Sequence, residues 1–471
     1  MSRPSVLRLP VHRTGPLVFF AVALLAGPGQ LPAFADIAGT WAGVLDVGAA
    51  KLRIVFTIVP AGERAWSATM DSPDQGAKGI PCSAVSLSGK TVRIEVKAVQ
   101  GFFTGDLDET TGKMKGKWNQ GGASFALALE RGTPVEVRRP QTPVPPFPYR
   151  SQEVTLRNEP DGVTLGGTLT LPSGRGPFPA VLLVTGSGQQ NRDEEIFGHK
   201  PFLVLADALT RRGIAVLRCD DRGVGTSTGD ATKATSADFA RDAKTELDWL
   251  RKAPSVDARR VGLIGHSEGG LIASMLAAGS TDVAFIVLLA GPGLPGDELL
   301  VLQGAAIARA SGAAEADIQK GSAINRELYA IAKSEQDDTK ASAGMRKVLA
   351  RASVQMAQVD AAISQLLLPW FRFFLSADPR TYLGRVRCPV LALNGGKDLQ
   401  VTPKDNLAAI AATLTKAGNR RFIVRELPGL NHLFQSAATG LVAEYGQIEQ
   451  TLAPAVLQQV GDWILSVAAT P

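Results

Sequence analysis

Cysteine and histidine, the main zinc ligands, are scarce in this chain: three cysteines and four histidines among 471 residues, at no spacing that a zinc site uses. No metal and no cofactor are expected. The cysteines, Cys82, Cys219 and Cys388, are odd in number, so at least one thiol stays free even where disulfides form. Cys219 and Cys388 sit in apolar, strand-like runs, where two buried thiols are the simplest reading. Long runs of one charge are missing too. The formal net charge is +6, but Arg3, Arg8 and Arg13 all precede the first acidic residue, Asp36. Without the first 35 residues the balance falls to +3, 47 basic against 44 acidic side chains. That is too mild, without any Lys/Arg run, for a nucleic-acid partner. Nor does any apolar run reach the ~20 residues of a membrane-spanning helix.

The N-terminus carries the features of an export signal. Arg3, Arg8 and Arg13 are followed by the short apolar run 16–26 (PLVFFAVALLA), broken by Gly27, Pro28 and Gly29. Ala33-Phe34-Ala35 then supplies the small residues that a signal peptidase needs. Residues 1–35 are read as a signal peptide cleaved after Ala35, with the periplasm or the medium as destination and no stable membrane span in the mature chain. No Cys follows the run, which argues against a lipid anchor.

At 471 residues the chain exceeds one hydrophobic core, so two domains are expected. Residues 36–133 hold short alternating runs, such as Lys51-Leu52-Arg53-Ile54-Val55-Phe56 and Thr91-Val92-Arg93-Ile94-Glu95-Val96, with turn residues about every ten positions. This pattern predicts a small antiparallel sandwich or barrel. Six prolines and no glycine in 134–150 describe an extended linker. From 151 to 471 the pattern changes. Two alternating runs, 152–157 and 163–171, read as a hairpin. Continuous apolar runs follow at 180–184, 214–217, 261–264, 285–289, 390–393 and 422–424, separated by helical stretches such as 236–252 and 403–417. Such runs predict an α/β fold, a mostly parallel sheet covered on both faces. A helical insertion, about 295–384, interrupts the alternation and reads as a cap over a site.

The pattern Gly-x-Ser-x-Gly occurs twice, and with 49 glycines context must decide between the matches. A nucleophile elbow needs a strand ending just before the first glycine and a helix starting just after the serine. Gly265-His266-Ser267-Glu268-Gly269 has both. Gly225-Thr226-Ser227-Thr228-Gly229 lies in a loop several residues beyond its strand and has neither. Ser267 is therefore the candidate nucleophile. Amides at the helix start are unpaired and point toward developing negative charge, so the Glu268 N–H is one candidate oxyanion donor. The second is expected from Thr185-Gly186-Ser187-Gly188-Gln189 after the 180–184 strand, at Ser187, with Gly188 next.

A serine hydroxyl needs a base, and histidine suits work near neutral pH. His12 lies in the signal, His199 beside Pro201 and upstream of the nucleophile, and His266 adjoins Ser267, where a sharp turn would aim its ring elsewhere. His432 remains, in a loop after the last strand. Its acid should follow the preceding strand, which selects Asp398 in Asn394-Gly395-Gly396-Lys397-Asp398. Asp405 reads instead as a first-turn acid of the helix that Pro403 begins.

The elbow, Asp220-Asp221-Arg222-Gly223-Val224-Gly225-Thr226-Ser227, Asn394-Gly395-Gly396-Lys397-Asp398, Leu430-Asn431-His432 and the loop 186–194 together resemble bacterial α/β-hydrolases. The resemblance is to the serine aminopeptidase-like and dienelactone hydrolase-like branches and covers 151–471. It departs at Thr185-Gly186, where the relatives often have His-Gly. The N-terminal β-domain is similar to extensions of some of these enzymes. The resemblance implies an α/β-hydrolase fold with a helical cap and a carboxylesterase working through an acyl-enzyme on Ser267, with a small-molecule ester or acyl substrate. An aminopeptidase or amidase would need an acidic patch for the substrate amine, for which Glu194 and Glu195 are candidates. A thioesterase with the same triad and a ligand-binding module with a vestigial hydrolase fold are the remaining alternatives. Oligomeric state has no signature in the sequence.

Overall fold

The structure is a computed structural model that describes residues 37–47, 51–62, 65–75, 77–132, 137–352 and 356–469. The export signal read at 1–35 lies outside the described residues. Nine antiparallel strands come first: β1 (Gly39–Asp46), β2 (Lys51–Gly62), β3 (Ala65–Ser72), β4 (Ala77–Pro81), β5 (Ala84–Ser88), β6 (Thr91–Val96), β7 (Gly101–Asp108), β8 (Lys113–Gln120) and β9 (Ala123–Arg131). They form one sheet in the order β4-β3-β2-β1-β9-β8-β7-β6-β5. Only Cys82 and Ser83 separate β4 from β5. The Cys82 N–H donates to Ala68 of β3, and the next N–H, Ser83, donates to Glu95 of β6. The two ends of the sheet thus meet in one bent segment, giving a barrel rather than a two-sheet sandwich. Alternation drives inward-facing side chains together: Trp41, Phe56, Phe103, Met114 and Trp118 are almost fully buried, and the Phe56 ring lies 6.3 Å from both Phe103 and Trp118. The interior is filled by side chains, as in small barrels generally.

Residues 137–149 contain no helix or strand. The second sheet then begins with the hairpin β10 (Arg150–Asn158) and β11 (Val163–Leu171) and continues through β12 (Phe178–Val184), α1 (Pro201–Arg211), β13 (Ala215–Cys219), α2 (Ser236–Lys252), β14 (Val256–His266), α3 (Glu268–Gly279) and β15 (Ile286–Leu289). Its order is β10-β11-β13-β12-β14-β15-β16-β17 once β16 (Val390–Gly395) and β17 (Phe422–Leu427) are added. The pairs from β13 to β17 are parallel, and β10, β11 and β13 pair antiparallel. Pleating sends successive residues of the buried strands to opposite faces. Leu182 and Val184 join a core with Leu247 of α2 and Ile272 of α3. Val181 and Leu183 join the other core, with Phe202 of α1 and Val460 of the C-terminal helix. Continuous apolar runs are what a sheet covered on both faces requires.

Between β15 and β16 lie α4 (Gly296–Ala310), α5 (Glu315–Ser334), α6 (Asp338–Arg351), α7 (Met356–Leu366), α8 (Pro369–Ser376) and α9 (Pro379–Leu383), where the insertion was expected; α10 (Pro403–Lys416) and α11 (Pro454–Ala468) complete the fold. The inserted helices have a core of their own, including Leu328, Met345 and Ile363. A smaller cluster of Leu271, Leu299, Phe374 and Val401 ties them to α3. No helix of the described residues is long and apolar enough to cross a membrane.

Candidate active site

Ser267 stands between β14 and α3 with φ 53° and ψ −119°, a left-handed backbone that a residue with a Cβ adopts only under constraint. The flanking glycines permit it. A Cβ at Gly265 would lie 2.0 Å from the Gly269 carbonyl oxygen, and one at Gly269 would lie 2.1 Å from that of Val184. The strand, the turn and the neighbouring strand therefore close to distances that only glycine allows. The Ser267 N–H donates to the Leu289 carbonyl at 2.9 Å, pinning the turn to β15.

Asp398 follows β16 and His432 follows β17, and both are buried. His432 Nδ1 meets Asp398 Oδ2 at 2.8 Å. The other carboxylate oxygen, Oδ1, accepts the Gln400 and Val401 N–H groups at 2.8 and 2.9 Å. Both oxygens are thus committed, which fixes the carboxylate in the plane that orients the imidazole. The remaining candidates fall elsewhere. Ser227 is buried and ties its loop to β11, donating to the Asp220 carbonyl at 2.7 Å and accepting the Gly166 N–H at 2.9 Å. Asp405 lies exposed in the first turn of α10. His199 is fully buried between Thr451 and the Tyr445 carbonyl. Burial, with Arg139 adding to it, pushes its pKa down to about 4, so it is neutral at ordinary pH.

Around the elbow, the N–H groups of Glu268, Ser187 and Gly188 have no hydrogen-bond partner among the described residues. The Gly186 N–H is engaged, donating to Glu194 Oε1 at 2.8 Å. A Cβ on Gly186 would come within 3.3 Å of that of Ser267, so this loop lies directly against Ser267. It is held from behind by Asp221, which accepts the Thr185 hydroxyl at 2.7 Å and the Gln190 N–H at 2.9 Å. Thr185, where the resembled enzymes often carry histidine, therefore has a definite task. Asp221, Glu246 and Glu268 line one cavity of about 30 Å³ behind the loop. Burial raises all three carboxyls, and pushes Asp221 up to about 7.

Three features left no local signal. The Glu268 side chain is buried, accepting the Ser236 hydroxyl at 2.6 Å and the indole N–H of Trp370, from cap helix α8, at 2.8 Å. His266 does not point away from the site: its Nε2 lies 3.1 Å from the His432 carbonyl oxygen, and its ring centroid 4.8 Å from that of His432. Its Nδ1 meets Glu194 Oε1 at 2.9 Å. Burial by itself would depress His266, but the Glu194 carboxylate outweighs it and holds the imidazole above its ordinary value. Glu194 is buried, so of the two acids considered for binding an amine only Glu195 is exposed, and Lys200 lies 3.5 Å from it. The rarity of histidine was the one available hint at His266; its partner is 72 residues away.

Residues 161–426 match the family described as X-Pro dipeptidyl-peptidase (S15 family). The chain is 26% identical to Esterase EstD of Thermotoga maritima over 320 residues, 67% of each chain. Among solved structures, an esterase of Pyrococcus furiosus superposes with a TM-score of 0.42 at 15% identity, over 70% of this chain and 97% of that one. A dienelactone hydrolase of Anabaena variabilis gives 0.39 at 18% identity, over 68% and 99%.

Proposed function

This chain belongs to the S15 family and is a hydrolase of the α/β fold, and from that premise we propose that it cleaves carboxylic esters through an acyl-enzyme on Ser267. The observation that carries the reading is the buried Asp398–His432 pair, 2.8 Å apart, whose imidazole lies 4.8 Å from the ring of His266, the residue before a serine held at φ 53°. His432 takes the Ser267 proton as Oγ attacks the ester carbonyl, and Asp398 stabilises the imidazolium that forms. The amides of Glu268 and Ser187 receive the oxyanion, with Gly188 the neighbouring donor. Collapse of the tetrahedral intermediate breaks the C–O bond, and the leaving alcohol takes the proton from His432. Water, deprotonated in turn by His432, then releases the acid and restores Ser267.

The relation to an esterase over two thirds of the chain supports an ester rather than a peptide substrate. A peptidase acting on a free N-terminus needs a carboxylate facing its substrate. Glu194, one of the two candidates, is turned inward onto His266 and Gly186. The test is turnover of short- and medium-chain p-nitrophenyl esters and of aminoacyl-p-nitroanilides, with Ser267→Ala as control. Ester turnover that the substitution abolishes, together with fluorophosphonate labelling of Ser267, is expected. Turnover of anilides alone would move the assignment to a peptidase. Silence toward both, without labelling, would favour a ligand-binding module.

A further inference from the structure

We infer that Glu194 and His266 form a second carboxylate–imidazole pair whose work is to position the first, locking the oxyanion loop and the base loop onto the nucleophile elbow. The inference rests on the Ser267–Asp398–His432 reading and deepens it. Three segments must hold a common geometry for acyl transfer: the loop after β12, the turn after β14 and the loop after β17. Glu194 Oε1 takes the Gly186 N–H of the first at 2.8 Å and faces the His266 ring of the second at 2.9 Å. The other nitrogen of that ring meets the His432 carbonyl of the third at 3.1 Å. One side-chain pair therefore contacts all three segments. Glu194 itself is held at φ 51°, and Phe434, two residues past His432, at φ 60°. Both ends of the connection thus carry constrained backbone, as sites that depend on fixed geometry commonly do.

The chemistry of the partners sets the protonation. A carbonyl oxygen only accepts, so Nε2 must carry a proton. Nδ1 faces a carboxylate oxygen that already accepts an amide, so it too carries a proton and His266 is an imidazolium. The ionisable groups near it are Glu194, His432 and Asp398. The remaining wall is apolar, formed by Pro201, Phe202, Leu205, Leu289, Leu433, Phe434 and Leu452. Because the carboxylate raises this imidazole, both bonds are present at low pH and one of them fails as pH rises through the raised value. His266 then keeps a single proton for two acceptors, and one of the two loops is released. His266 and Glu194 touch no substrate in this scheme; they are positioning residues.

The test uses the full chain. Glu194→Gln is expected to lower kcat on a p-nitrophenyl ester by about 100-fold, the cost of a small misplacement of reacting groups, with KM changing much less. It should also move the alkaline fall of kcat/KM to lower pH. His266→Gln should show comparable loss with that fall absent. A pair that merely fills space would lower activity without moving the limb. Histidine-selective nitrogen NMR of the unsubstituted protein reads the same point without relying on a variant that folds. Titrated through the ordinary histidine value of about 6.5, one ring should keep both protons to higher pH than that, and its signal should vanish in His266→Gln. A His266 that loses its second proton at or below the ordinary histidine value, or a Glu194→Gln enzyme with unchanged kcat and unchanged alkaline limb, would overturn the inference while the triad stood. If His432→Gln turned over esters normally, the triad reading would fail and this inference with it.

Discussion

Among single residues, Asp221 makes the sharpest statement about pH. It is buried behind the loop that follows β12, and burial, joined by the charges of Glu268 and Glu194, lifts its carboxyl from an ordinary 3.8 to about 7 against the Gln190 and Thr185 bonds. A carboxyl raised on folding binds its proton more tightly in the native state than in the unfolded one. Its contribution to stability is complete below the unfolded value near 3.8 and is lost as pH climbs through about 7. A shift of this size corresponds to roughly 4 kcal/mol. Urea unfolding followed from about pH 4 to about pH 8 should show stability falling across that window, and Asp221→Asn should flatten the fall. Glu246 and Glu268 are raised in the same sense, so the flattening should be partial. An Asp221→Asn protein whose pH dependence matched that of the parent would show that this carboxyl is not the one titrating.

Among elements, local signals were legible and long-range ones were not. The helix read at 236–252 has those bounds in the structure, because Thr235 and Asp238 form a capping box and a polar-apolar periodicity runs to Lys252. The strands before and after it overlap the apolar runs 214–217 and 261–264, since a buried parallel strand has no polar face to alternate with. However, β14 starts earlier, at Val256, through the polar stretch Asp257–Arg260. The loops bearing Ser267, Asp398 and His432 were placed by the strands they follow, which is local information. Closure of the barrel was not readable, because it depends on consecutive amides of Cys82 and Ser83 finding partners in β3 and β6. Nor was the Trp370–Glu268 bond, which joins positions 102 residues apart. That bond makes a prediction about the cap. Trp370→Phe removes the indole donor from a buried carboxyl, leaving it with Ser236, at a cost of about 1–3 kcal/mol. Part of that cost loosens α8 over the site, so KM for esters should rise about fivefold while kcat changes little. Unchanged Michaelis constants and an unchanged unfolding midpoint would show that α8 is held by its apolar contacts alone.

In the whole molecule, the question is whether the barrel is an appendage. Residues from Ala38 onward form one compact unit, and a specific contact explains how. The barrel's turn at Pro73–Gln75 meets the segment Val442–Gln447, where a Cβ on Gly446 would lie 3.1 Å from Asp74 Oδ1. Asp74 is held in place by Arg53 at 2.6 Å. From the connecting stretch, Arg139 donates to the carbonyls of Gly446, Ile448 and Phe197 at 2.8 to 2.9 Å. Within the same segment, the Tyr445 hydroxyl accepts from the Gln400 side chain at 3.3 Å, and the Gln400 N–H donates to Asp398. A continuous line of contacts thus runs from barrel to acid, and we propose that the two parts, 36–133 and 151–471, unfold together because of it. Thermal unfolding should be a single transition, coincident whether followed by tryptophan fluorescence, to which Trp41 and Trp118 of the barrel contribute, or by loss of ester turnover. Arg139→Ala removes charged donors to three carbonyls, each bond worth about 1.5–3 kcal/mol. It should split the transition, with the barrel signal and the activity lost at different temperatures. Two transitions already present in the parent protein would make the barrel an independent passenger, and the contact at Gly446 would then be incidental to the site.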